Sequence, residues 1–129
     1  MTQTVTPYLL YEDGDAAIAF LTSAFGFAEH RRTTGAAGGL HAELVTPDGA
    51  FVFLGQPPSG DYRNPAAVGR TAIVYVMVDD VDAHHARAKA AGAQITEEPR
   101  DLPFGQRRYS CVDPQGHDWA FAQELELQA

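Results

Sequence analysis

An α+β fold of two paired β-α-β-β-β modules, with helices on the outer face of a curved mixed sheet, is predicted by a repeat running through the chain. Asp13-Gly14-Asp15-Ala16-Ala17 opens a helix-like stretch that closes at Gly26, and Asp80-Val81-Asp82-Ala83-His84 opens a second that closes at Gly92. The turn-like Thr46-Pro47-Asp48-Gly49 returns as Asp113-Pro114-Gln115-Gly116. Asp13, Pro47 and Gly49 each recur 67 residues later, while Gly26 recurs after 66, which fits a second helix one residue shorter. A period near half the chain means two similar units packed together, and a site between them draws residues from both.

Residues 5–11 are short, apolar and aromatic and read as a strand, which Pro7 places at an edge or near a bulge. Asp13 or Asp15 can cap the helix that follows. Ala16, Ala17, Phe20, Leu21 and Ala24 recur at three- and four-residue spacing and Gly26 supplies the stop, so a helix is expected over 13–25. Charges and glycines over 30–39 suggest a turn between strands. A strand with apolar–polar alternation follows over 40–45, then the turn 46–49 and a strand over 50–54. Three prolines and two glycines mark 56–69 as a connector, giving module one at about 4–55, a linker at about 56–70 and module two at about 71–123. Residues 71–78 are apolar on both faces and predict a central strand. The helix repeats over 80–91, with Val81, Ala83, Ala86 and Ala90 on its buried stripe. A short strand over 94–97, a loop over 99–105, a strand over 106–112, the turn 113–116 and a last strand over 118–122 complete the unit.

At 129 residues and 45% hydrophobic content, the chain can bury a core as one compact domain. A net charge of −8 with no basic cluster beyond Arg107-Arg108 argues against nucleic acid as a partner. The single Cys111 rules out an internal disulfide and a multi-cysteine zinc site. No stretch approaches the roughly 18 apolar residues of a spanning helix, so no membrane partner is expected. The N-terminal residues 1–7 show no secretory pattern, and the expected location is cytoplasmic.

The helix ending in Ala24-Phe25-Gly26-Phe27, the Pro47-Asp48-Gly49 turn and the stretch 78–83 belong to a recognisable pattern. So do Phe104-Gly105-x-Arg107 and Asp113-Pro-x-Gly116-His117-x-Trp119-x-Phe121. Over 4–123 the chain resembles the vicinal oxygen chelate superfamily, which includes glyoxalase I, bleomycin-resistance proteins and extradiol dioxygenases, and within it the short glyoxalase-like branch. The resemblance implies that each module curls into a half-cup, that two modules make one cup-shaped site, and that the protein is a homodimer. It also implies, for enzymatic members, a divalent metal held by His, Gln or Glu on the first strand and on the strand after the turn of each module. The corresponding positions here are Thr6, Phe53, Ile73 and Ala120. Three of them carry no donor, and a divalent transition metal needs several converging ones, so no metal and no other cofactor is expected.

What remains on the cup-facing side is aromatic and apolar. Alternation puts Tyr8 with Thr6, and Tyr75 and Met77 with Ile73. His41 and Glu43 share the polar face of their strand and can bind an ion, form an acid/base pair or simply face solvent. The repeat maps His41 to Arg108 and Glu43 to Ser110; Arg107 with Tyr109, or Arg108, faces the cup, and a guanidinium there can clamp an anion. His117 is expected to bond the turn backbone, Trp119 and Cys111 to be core, and adjacent His84 and His85 to point apart. The ligand-binding set is therefore Tyr8, His41, Glu43, Tyr75, Met77 and Arg108. The expected function is metal-free sequestration of a small aromatic or apolar compound. The alternatives are a metal-dependent lyase, isomerase or dioxygenase with a shifted site around His41 and Glu43, and a dimer without a ligand.

Overall fold

The computed structural model describes residues 3–36 and 38–126, so the first two residues of the N-terminal stretch lie outside it. The first module comprises β1 (Tyr8–Leu10), α1 (Gly14–Phe25), β2 (Ala28–Thr34), β3 (Leu40–Val45) and β4 (Phe51–Gln56). A one-turn helix, α2 (Pro65–Val68), interrupts the connector. The second module comprises β5 (Ile73–Met77), α3 (Val81–Ala90), β6 (Gln94–Asp101), β7 (Gln106–Val112) and β8 (Asp118–Glu124). Each forms a four-stranded sheet, ordered β1-β4-β3-β2 and β5-β8-β7-β6. The first strand runs parallel to the last in both, and the other pairs are antiparallel. The expected α+β fold of two β-α-β-β-β modules is present, as two separate sheets that close no barrel. Registers match across the repeat: Tyr8 lies opposite Phe53 as Tyr75 lies opposite Ala120, and His41 opposite Gly55 as Arg108 opposite Ala122.

The repeat extends to the hydrogen bonds that start each element. Asp13 Oδ1 accepts the Ala16 amide at 3.1 Å and Asp80 Oδ1 accepts that of Ala83 at 3.0 Å, so these two are the helix caps. Asp15 instead takes the Arg32 guanidinium at 2.8 Å. Gln56 Oε1 accepts the Gly14 amide at 2.7 Å, and its counterpart Gln123 accepts that of Val81 at 2.6 Å. In each module a last-strand glutamine thus satisfies an amide at the helix start that has no intrahelical partner. Gly26, at φ 75°, closes α1 in the left-handed conformation that glycine adopts without steric cost.

Several elements differ from expectation, each for a physical reason. Residues 30–34 are strand rather than turn: β2 is an edge strand exposed along its whole length, so it carries no apolar alternation to read. Strand β5 lies at an edge rather than in the centre of its sheet. Its two-faced apolarity comes from an open side, where Ile73 is 60% and Tyr75 44% exposed. Strand β6 continues to Asp101 through Pro99, which an edge strand tolerates, with register shifts between Ile95 and Glu97 and between Glu97 and Arg100. The buried residues of α3 are Val81 and Ala88, with His84 half-buried between them; Ala83, Ala86 and Ala90 are exposed. On α1, Ala16 is exposed while Ile18 and Phe25 join the core.

The modules meet through their helix-bearing faces. Phe25 packs with its ring centroid 5.3 Å from Trp119 and 4.7 Å from Phe121, and Phe27 lies 5.6 Å from Trp119. Arg87 of α3 donates to the Ser23 and Thr22 carbonyls at the end of α1, at 3.0 and 3.3 Å. His84 Nε2 sits 3.0 Å from the Phe25 carbonyl, which can only accept, so that nitrogen carries the proton. Nδ1 then accepts from the Tyr109 hydroxyl at 2.5 Å. On the other side of the junction, Tyr11 donates to Asp113 Oδ2 at 2.6 Å, and burial followed by the Asp113 charge pushes its phenol well above the usual value. Asp13 and Gln115 exchange two bonds, at 2.9 and 2.8 Å, which dock the second turn on the start of α1.

Two outcomes follow from this junction. Asp113→Ala strands the Tyr11 hydroxyl and the Trp119 indole N–H, both buried, and should cost about 2–4 kcal/mol in urea unfolding. Burial holds His84 below its usual 6.5, with Arg87 acting in the same direction and the Phe25 carbonyl opposing them. The unfolded chain therefore binds the proton first on acidification. Stability from this group is complete above pH 6.5 and is lost as pH falls through the lower folded value. The melting temperature should drop between pH 7.5 and 5.5, and less steeply in His84→Gln.

Candidate functional site

Because the modules join by their helix sides, the opposite face of each sheet is open. On the first sheet Tyr8, His41 and Glu43 form one hydrogen-bonded chain. The Tyr8 hydroxyl lies 2.7 Å from His41 Nδ1, and His41 Nε2 lies 2.9 Å from Glu43 Oε2. Tyr8 is on β1 and His41 on β3, with β4 between them. Two strand spacings amount to about 9.6 Å, so the Tyr8 ring has to lie across β4 to reach His41. The residue between is Gly55, opposite His41, and a Cβ there would sit 2.9 Å from Tyr8 Cε1 and 3.1 Å from its hydroxyl. Gly55 is thus the gap across which Tyr8 reaches. Phe53 stands edge-on to both rings, 6.0 Å from Tyr8 and 5.4 Å from His41.

On the second sheet the equivalent Tyr75 donates to Gln106 Oε1 at 2.6 Å, and Gln106 Nε2 in turn donates to Glu124 at 3.0 Å, which fixes the amide orientation. The Arg108 guanidinium lies 5.9 Å from the Tyr75 ring centroid and bonds Glu97 at 3.1 Å. Partial burial opposes ionisation of Glu97, yet the hydrogen bonds from Arg100 and Arg108 outweigh it and hold its carboxyl below the ordinary range. Ile73, Tyr75, Arg108, Ser110 and Ala120 line a hollow of about 350 Å³. Met77 lies instead with Phe51 and Pro7 along a cleft of about 280 Å³ between the modules, which Tyr75 also borders.

The six expected ligand-binding residues therefore fall into two groups within one chain. Tyr8, His41 and Glu43 are bonded together, the Arg108 guanidinium lies over the Tyr75 ring, Met77 joins Tyr75 only at the cleft, and among the described residues no hydrogen bond or ring contact links the groups. Of the two arginines Arg108 is on the open face; Arg107 turns to Asp82 and Asp101, each at 3.0 Å. Tyr109 is buried among the helix-side residues. His117 bonds the Leu10 carbonyl of the other module at 2.8 Å rather than its own turn, because the turn is docked against β1. Trp119 and Cys111 are core, and burial, with Asp113 and Asp118 nearby, pushes the thiol up to about 12. His84 points to Phe25 and Tyr109, and His85 to Glu98.

The four positions that the family pattern assigns to metal ligands do not fit a divalent ion. Phe53 faces the Tyr8 ring, Ile73 is exposed, Ala120 is buried, and only Thr6 has a hydroxyl. Among the described residues, no three His, Cys, Asp or Glu side chains are grouped so as to hold an ion. Gly55, Gln106 and Glu97 belong to the candidate site by their contacts with its residues, and motif reading missed them. Gly55 could have been found from its pairing with His41 once the strands were aligned; Gln106 and Glu97 stand where the first module has Gly39 and Arg31, so the repeat does not flag them.

The model of the Glyoxalase/Bleomycin resistance protein/Dioxygenase superfamily matches residues 3–121, and the chain belongs to that superfamily. An uncharacterized protein of Mycobacterium bovis is 32% identical over 126 residues, covering 94% of this chain and 83% of its own. The crystal structure of TioX from Micromonospora sp. ML1 superposes with a TM-score of 0.76 at 34% identity, covering 96% of this chain and 100% of that one. Glyoxalase I from Zea mays has the same fold, with a TM-score of 0.77 at 21% identity, over 94% of this chain and 44% of the maize chain. No helix among the described residues is long and apolar enough to cross a membrane.

The role of Gly55 is directly measurable. Gly55→Ala should leave the protein folded but push the Tyr8 ring off His41, seen as a changed His41 imidazole resonance in NMR spectra with little change in melting temperature. An unchanged resonance would show that the ring does not cross at this point.

Proposed function

We propose that the protein binds a small, planar, largely apolar molecule without a metal, and that its cup forms between two copies of the chain. The observation that carries this reading is the pairing of ring-bearing, solvent-exposed sheet faces with a ligand-position set that offers a single hydroxyl. Tyr8 is 50% and Tyr75 44% exposed although both sit in ordered strands. Exposed aromatic surface of this kind is characteristic of a face that takes a ligand or a partner. Apposing the Tyr8 face of one copy to the Tyr75 face of another would enclose both groups, with the six site residues as its walls. A hollow of about 350 Å³ on the second face is on the scale of a small-molecule pocket.

A metal-dependent reaction around His41 and Glu43 has less support. Both imidazole nitrogens of His41 are engaged, one with Tyr8 and one with Glu43, so coordination would have to break the chain. Elemental analysis after dialysis should find far less than one zinc, nickel, manganese or iron per chain. A thermal-shift screen of aromatic compounds should find stabilising ligands. Tyr75→Ala should lose that stabilisation with metal content unchanged, and sedimentation at micromolar concentration should show a dimer. One retained metal per chain would overturn the reading, and a monomer would remove the shared cup.

A further inference from the structure

The hydrogen-bond chain on the first sheet also settles what Tyr8 can offer to a ligand. Glu43 presents carboxylate oxygens, which accept, so His41 Nε2 at 2.9 Å carries a proton, and whenever the ring is neutral it is the only nitrogen that does. Nδ1 is then an acceptor, and the hydroxyl 2.7 Å away must donate to it. The proton of Tyr8 is spent inward, and its oxygen, on a half-exposed ring, turns only lone pairs to the open face. The negative charge of Glu43 at the far end polarises the chain in the same sense and makes that oxygen a better acceptor. Phe53 flanks it with an apolar edge.

From this we infer that Tyr8 is a specificity residue that selects planar ligands carrying an O–H or N–H donor, such as phenols, anilines or ring N–H compounds. It discriminates against ethers and against anions such as carboxylates, which would bring lone pairs or negative charge against the Tyr8 oxygen. Tyr75 does not share this role. Its hydroxyl is also spent, on Gln106, but the Arg108 guanidinium beside its ring supplies the opposite polarity.

The inference rests on the small-molecule reading of the same face, and two measurements separate their fates. Nitrogen-15 spectra of the full-length protein, recorded at a pH where they report a neutral His41, should show Nε2 protonated and Nδ1 bare. A proton on Nδ1 would reverse the polarity and overturn the inference whatever binds. At that pH, 4-cresol and its methyl ether 4-methylanisole should both shift resonances of the open face, with cresol binding about fivefold to tenfold tighter, the scale of one well-formed hydrogen bond. Tyr8→Phe, which keeps the ring, should bring the ratio close to one. Equal binding of the two probes to the unaltered protein would sink the donor selection and leave the small-molecule reading standing. Binding of neither at millimolar concentration would remove both.

Discussion

The arrangement of the whole molecule depends on the carboxylate of Asp113. Its two oxygens divide the work: Oδ1 takes the amides of Gln115 and His117 within the turn, while Oδ2 takes the Tyr11 hydroxyl and the Trp119 indole. One buried side chain therefore shapes a turn, anchors the largest core residue of the second module and binds the strand end of the first. A buried charge is tolerated when its hydrogen bonds are made, and here four donors converge on it. The repeat puts Thr46 at the equivalent place in the first module, where its hydroxyl accepts only the Ala50 amide and donates to Asp48. A neutral hydroxyl cannot serve four donors, so only the second turn is drawn into the junction. The first faces a cleft bordered by Val74 and Met77 instead.

That asymmetric junction leaves the open sheet faces free. Helix faces and their aromatic cluster are consumed in joining the modules, so rings on the other side of each sheet pack only against neighbours on their own face and stay partly exposed. On the first face, geometry adds a constraint of a different kind. Tyr8 and His41 can meet only because β4 presents a hydrogen atom where every other residue would present a Cβ. In the second module that place is taken by Ala122, and Tyr75 bonds Gln106 on the β7 end rather than the residue equivalent to His41.

Much of this could be read in the chain before any coordinates. The helices start at Asp13 and Asp80 because a capping carboxylate followed by a helical run is a local signal, and the turns stand where proline and glycine put them. The readings that failed concern what lies alongside an element. Strand β2 has no buried face and so no period to detect, and β5 is apolar on both sides for two reasons, a core on one and an open face on the other. The α3 stripe was misread because His84 is a polar residue whose two nitrogens are satisfied inside the junction, while neighbouring alanines face water. For the site, alternation groups Tyr8 with Thr6 and Tyr75 with Ile73, and the repeat pairs His41 with Arg108, but neither decides whether Arg107 or Arg108 shares the face of Tyr75. Nor do they decide the separation of these residues into two groups, because it depends on which sides of the sheets the modules use to join.

The two open faces show how a duplicated unit can carry two different side-chain arrangements on one backbone plan. Both retain a tyrosine at the same register position, and both place a carboxylate near its polar partner. They differ at several equivalent residues, including Glu43 against Ser110, Phe53 against Ala120 and Gly55 against Ala122, and beside the tyrosine at His41 in the first module and Arg108 in the second. A neutral imidazole has one nitrogen that accepts, so it can take the tyrosine proton and pass the influence of Glu43 on to the phenol oxygen. A guanidinium accepts nothing, so Tyr75 must give its proton elsewhere, and it does so to Gln106 while Arg108 settles against its ring and Glu97. Where each tyrosine hydroxyl sends its proton thus follows from whether the residue beside it can accept a hydrogen bond. The tyrosine itself does not decide it.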